Sequence, residues 1–326
     1  MMKKKIPAKK NNQNNNPRPH DFRPLLPGDL IQIIAPASSS NYENLLKGAE
    51  KLALWGYRVK FSKDILKPEL FLANSDEYRM KDLISALNDN EVKAIWCFRG
   101  GYGSLRLLPH IKKTRQPKNK KLIIGLSDIT SLQIGVQKFW NWPSLHTSLI
   151  DRIAQDKLDL ENLNEIRGVL DGTINKMKFE NLTPINSAAK QKQTIKGTII
   201  GGNLMVAVST LGTPSQIESK GKILFFEELS ERGYRIDRCL QQLKQANIFK
   251  NAKGIVFGDF TSCEEPNGES IIKEVIHNFS KDISIPVLSG IENGHGDKQR
   301  PLFFNTNSIL NCGKNASLIV ESPYKR

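Results

Sequence analysis

Apolar and polar positions in the first half of the chain alternate between two periods. Residues 30–35, inside "DLIQIIAPAS", form a short apolar run that ends in a Pro/Ser loop, which predicts a strand. Leu45, Ala49 and Leu52 then recur at helical spacing until Gly56 stops them. Met80, Leu83, Ile84 and Leu87 repeat the pattern in "SDEYRMKDLISALNDN". The segments "YRVKF", "VKAIWCF" and "KLIIG" read as further strands, and "ITSLQIGVQKFWN" as a helix. "SLRLLPHI" predicts a short helix that Pro109 interrupts or ends. Strands alternating with helices predict a parallel sheet covered by helices, with ligands bound beyond the C-terminal strand ends.

The pattern fades between residues 156 and 193. That stretch holds one short helix over residues 160–170 and is otherwise a polar connector without a convincing period. A second unit opens at "TIKGTIIGGNLMVAVSTLG" with a strand, a double glycine and a helix. Strands follow in "KILFFEEL", "AKGIVFGDF" and "IPVLSG", with helices between them, and the chain ends in short strands separated by turn residues. The expected organisation is a tail over residues 1–22, an α/β domain over 23–155, the connector over 156–193, and a second domain over 194–326. No internal repeat is evident.

Composition narrows the classes. A 326-residue chain that is 39% hydrophobic and 25% charged is globular, and no apolar run approaches the roughly 18 residues of a membrane span. The basic N-terminus lacks the apolar segment of a secretory signal. The net charge is +15. Six of those charges, Lys3, Lys4, Lys5, Lys9, Lys10 and Arg18, sit in a Lys/Asn/Pro tract that is expected to be disordered. The remaining excess suits an anionic small substrate better than nucleic acid, because no nucleic-acid-binding motif is present. Cys97, Cys239, Cys263 and Cys312 are too scattered for a zinc or disulfide framework, and they fit a reducing cytoplasm.

Candidate chemistry clusters at expected strand ends. In "IIGLSDIT" a strand runs through a sharp corner into a helix with Ser127 at the corner. That resembles a nucleophile elbow, although Ile129 stands where G-x-S-x-G has its second glycine. Two readings stand on local grounds. Ser127 is a nucleophile with the Asp128 N–H beside it, or Ser127 caps the helix that begins at Asp128. In "RGGYG", Gly100 and Gly101 let backbone N–H groups approach a ligand, and Arg99 has the planar fork that suits a carboxylate. A tight turn is the plain alternative. Among the histidines, His20 lies in the tail and His110 and His277 read as structural or solvated. His146 is a weaker base candidate at a strand end. His295, between two glycines in "NGHGD", is free to reach across a cleft. "KILFFEEL" carries Glu227 and Glu228 to the end of a strand buried on both faces, where one of them can orient a histidine.

Five segments in order, "DEYRMKDLISALNDNEVKAIWCFRGGYGSLRLL", "IIGLSDIT", "GTIIGGNLMV", "KILFFEELSERGYRIDRCLQQL" and "GHGDKQRPL", resemble the LD-carboxypeptidase family of serine peptidases. That family includes the microcin-C-resistance enzymes. The resemblance covers most of the chain beyond about residue 25 and leaves residues 1–20 without a counterpart. It implies Ser127 as nucleophile, Glu227 as orienting carboxylate and His295 as base. It also implies oxyanion donors from the backbone N–H groups of Asp128 and of Gly100 or Gly101. Asn203 would lie beside the cleft, and Arg99 is the candidate for holding a substrate carboxylate. The segment "WPSLHTSLI" departs from the His-Gly-Pro often seen at that place. The implied architecture is a parallel-sheet N-terminal domain and a smaller mixed α/β C-terminal domain with the site at their interface. The implied function is release of terminal D-Ala from a murein tetrapeptide in the cytoplasm by a homodimer, without metal, cofactor, nucleic acid or membrane. A microcin-type peptidyl-nucleotide substrate is the neighbouring alternative, and a non-catalytic anion binder a distant one.

Overall fold

The computed structural model describes residues 22–324; the basic tail and the last two residues lie outside them. In chain order the first unit runs β1 (Leu30–Ile34), α1 (Tyr42–Leu54), β2 (Arg58–Lys60), α2 (Asp76–Asn88), β3 (Val92–Cys97), α3 (Leu108–Lys113), β4 (Leu122–Gly125), α4 (Thr130–Trp140), β5 (Ser144–His146) and α5 (Ile150–Ala154). The first two helices begin at side-chain caps. Asn41 accepts from the Glu43 amide at the start of α1, and Ser75 from the Tyr78 amide at the start of α2. Pro109 behaves differently from expectation. It sits in the first turn of α3, after a 3-10 turn over Ser104–Leu107, and so helps to start a helix rather than end one. Its missing N–H costs nothing there.

Next come α6 (Leu160–Asp171), β6 (Lys176–Phe179), β7 (Thr183–Pro184) and α7 (Ser187–Lys190). The polar connector thus contains strands, and their short length and mixed polarity hide them from a periodicity reading. The second unit follows as β8 (Thr194–Asn203), α8 (Leu204–Val208), β9 (Ile223–Leu229), α9 (Gly233–Gln245), β10 (Gly254–Thr261), α10 (Ile272–Ser280), β11 (Val287–Ser289), β12 (Leu302–Phe304), β13 (Asn307–Asn311) and β14 (Ser317–Glu321).

Two sheets result. The first has the order β12-β5-β4-β3-β1-β2, parallel throughout except where β12 lies antiparallel to β5. The second has the order β6-β14-β13-β8-β9-β10-β11-β7. Its centre, β8 to β11, is parallel and its flanks are antiparallel. This is a two-unit mixed α/β fold, with the connector strands and the C-terminal strands joining the second sheet. One apolar cluster runs through both units, from Ala94, Trp96 and Phe98 to Phe225, Val256 and Leu310. All four cysteines are buried free thiols. Among the described residues no helix is long and apolar enough to cross a membrane.

Candidate active site

Ser127 follows β4 at the C-terminal edge of the first sheet. Its φ is +68°, in the left-handed region that a side chain with a Cβ enters at a cost of about 1–3 kcal/mol. It opens a 3-10 turn over Ser127–Ile129 that continues into α4. The N-cap positions of that turn and of α4 fall on Leu126 and Ile129, not on Ser127, and among the described residues the Ser127 hydroxyl has no hydrogen-bond partner. The helix-cap reading therefore fails. A strained corner with an uncommitted hydroxyl is what a nucleophile elbow requires. Gly100 packs against this corner so closely that a Cβ there would lie 3.0 Å from Ser127 Oγ. The adjacent loop is tied down from β1, since Ser38 N donates to Gly100 O (3.1 Å) and Ser38 Oγ accepts from Tyr102 N (3.0 Å).

Asp128 serves this loop with its side chain as well as its backbone position. Its buried carboxylate accepts from the Ser104 amide at 2.8 Å, so it fastens the end of the glycine loop to the Ser127 corner. Burial pushes its carboxyl above the usual range, while the Ser104 bonds oppose that. The sequence reading gave no role to this carboxylate, because its partner lies 24 residues away.

In the second unit, residues 223–228 of β9 are all buried, as the apolar run into "FFEEL" predicts. Successive side chains leave a strand on opposite faces. Glu227 Oε2 meets His295 Nδ1 at 2.7 Å, and Glu227 is fully buried with its other oxygen unpartnered. Burial lowers the pKa of His295, but the charge of Glu227 and the hydrogen bond to it prevail and raise it. Gly294 (φ +147°) brings the His295 loop against Glu227, and a Cβ there would sit 3.2 Å from Glu227 Oε2. Asp259 packs on the same loop, and burial together with the Glu227 charge moves it up to about 6.

Glu228, on the other face, accepts from Asn203 Nδ2 (2.6 Å), Met205 N (2.8 Å) and Leu229 N (2.9 Å). Burial and the neighbouring Glu227 charge raise it to about 7 against those donors. Asn203 is buried with its side chain engaged, because its Oδ1 caps α8 at Val206 N. Its amide donates to Thr130 Oγ1 at 2.9 Å. Asn203 also pairs in register with Glu227. A continuous path therefore links the Ser127 turn, Thr130, Asn203, β9 and His295. Arg99 is half exposed, bonded to Ser40 Oγ (2.9 Å) and paired with Asp151 (3.1 Å). His146, the weaker base candidate, is fully buried against Phe304 with Nδ1 at Gln133 Oε1 (3.0 Å). Burial, and to a lesser degree the His295 charge, drive it down to about 3, so it stays neutral at physiological pH.

Models of the LD-carboxypeptidase N-terminal and C-terminal domains match residues 31–147 and 196–310. The chain belongs to the LD-carboxypeptidase family. A Rickettsia conorii chain whose name carries a provisional carboxypeptidase assignment is 35% identical over 292 residues, 89% of this chain and 90% of that one. The murein tetrapeptide carboxypeptidase of Pseudomonas aeruginosa is 25% identical, over 86% of this chain and 92% of its own. The crystal structure of muramoyltetrapeptide carboxypeptidase from Oxalobacter formigenes superposes with a TM-score of 0.80 at 27% identity, covering 91% of this chain and all of that one. The microcin C7 self-immunity protein MccF shares the fold with a TM-score of 0.81 at 19% identity, over 94% of this chain and all of its own.

Proposed function

We propose that this LD-carboxypeptidase is a serine peptidase that releases the terminal D-Ala from a murein tetrapeptide. The carrying observation is the Glu227–His295 hydrogen bond, joined through Asn203 and Thr130 to a strained serine corner. His295, fixed through Nδ1, keeps Nε2 for proton transfer. It takes the Ser127 proton as Oγ attacks the carbonyl between the third residue and D-Ala. The amides of Asp128 and of Gly100 or Gly101 face the developing oxyanion. His295 then gives the proton to the departing D-Ala nitrogen. Water, deprotonated by the same ring, releases the acyl group from Ser127.

Cytoplasmic peptidoglycan recycling and assembly as a homodimer belong to the same reading. The test is D-Ala release from purified tetrapeptide by wild type and Ser127→Ala. Loss of several orders of magnitude supports the assignment, and unchanged turnover overturns it. The same assay with a peptidyl-aminoacyl nucleotide ranks the microcin-type substrate against murein.

A further inference from the structure

Arg99, the arginine suggested by sequence, is already paired. Arg99 has Asp151 as an acid partner, and Asp151 is held in place by Ser40 Oγ (3.0 Å) and Asn44 Nδ2 (2.8 Å). Arg152 has no such partner. Its Nε is buried without a hydrogen bond, and among the described residues no carboxylate lies within ion-pair distance of it. Among the described residues its guanidinium makes one hydrogen bond, from Nη2 to Gly296 O at 2.8 Å. Gly296 follows His295 directly, and the charge of Arg152 acts on that ring. At its other end α5 is anchored under the glycine loop, where Asp151 N donates to Phe98 O at 2.9 Å. Arg152 therefore stands between the oxyanion loop and the base.

The exposed Asp297 acts on Arg152 through its charge but does not pair with it, and burial prevails and lowers the pKa of the guanidinium. A half-buried guanidinium whose planar fork holds no carboxylate is costly. A carboxypeptidase substrate supplies one. The leaving residue carries its free carboxylate on the same carbon as the nitrogen that His295 protonates, so that anion arrives next to the His295 loop. We propose that Arg152 binds the C-terminal carboxylate of the peptide substrate and thereby restricts the enzyme to terminal residues. This rests on the serine-peptidase reading above. Arg99 is instead engaged by Asp151 and Ser40.

The test compares a tetrapeptide ending in free D-Ala with the same peptide ending in D-Ala amide, on wild type, Arg152→Ala and Arg152→Lys. Wild type is expected to prefer the acid by about 10–100-fold in kcat/KM, the worth of a charge-assisted hydrogen bond. Arg152→Ala should erase the preference chiefly by slowing the acid, and Arg152→Lys should restore part of it. An unchanged acid-to-amide ratio in Arg152→Ala overturns the assignment while the peptidase reading stands. Equal losses on both peptides overturn it too, because they mark Arg152 as a prop for the His295 loop. A wild type that cleaves neither peptide overturns both readings. Thermal melts confirm that the variants are folded, and Arg152→Lys, which keeps the charge, decides the question if Arg152→Ala unfolds.

Discussion

The Glu227 carboxylate, fully buried, holds the His295 ring through a 2.7 Å hydrogen bond to Nδ1. The bond fixes the tautomer and raises the pKa of the ring against the effect of burial. Glu227→Gln removes the charge and keeps the shape. The acid limb of kcat/KM should then move to lower pH, because His295 loses the group that favours its protonated form. Activity at the optimum should fall by about 10²–10⁴-fold, as when a triad histidine loses its orienting carboxylate. A pH–rate profile of both proteins checks the sign and the size.

The Ser127 backbone predicts a stability pattern separate from activity. Ser127→Ala and Ser127→Gly should both be inactive. Only glycine adopts φ +68° without penalty, so Ser127→Gly should be the more stable of the two by about 1 kcal/mol. Urea or thermal unfolding of the pair measures the difference directly.

Thr130 is the point where the second unit grips α4, the helix that follows the Ser127 corner. Thr130→Val leaves the Asn203 amide, now 2.9 Å from Oγ1, without its acceptor. The expected cost is about 1–3 kcal/mol of stability, with kcat reduced more than KM is raised. Combined with Glu228→Gln, the loss should be less than additive, because both changes loosen Asn203. Steady-state kinetics and melts on the two singles and the double test this.

His146 gives a contrasting expectation. A histidine held neutral down to about 3 binds fewer protons than the unfolded chain below about pH 6.5. Native stability should therefore fall as pH drops from about 6.5 towards 3, and His146→Phe should flatten that slope. The pH–rate profile should stay where it is in that variant. Unfolding curves across pH 4–7 and the kinetic profile are the two readouts.

The order of strands and helices, the corner at Ser127 and the acid-bearing end of β9 were legible because each is written within one short window. The pairing of Glu227 with His295 spans 68 residues; the residues alone offered Glu227 or Glu228 for it, and family resemblance chose Glu227. What escaped was long-range polar bonding. The Asp128–Ser104 contact, the engaged side chain of Asn203 and the unmatched Arg152 depend on which groups meet across loops, and no spacing rule encodes that. β6 and β7 escaped for another reason. They take their order from neighbours in the sheet, β14 and β11, rather than from their own residues.

The placement of β12 bears on how the enzyme works. After His295 the chain crosses over, lays residues 302–304 against β5 in the first sheet, and returns to build β13 in the second. The two units are laced together by backbone and cannot swing apart like jaws without tearing a ladder whose first rung is Leu302 against His146. If Ser127, Glu227 and His295 act together as proposed, their arrangement should be set when the chain folds rather than when substrate binds. Each half also borrows from the other to be complete, so the molecule should unfold in one step and resist being expressed as separate halves.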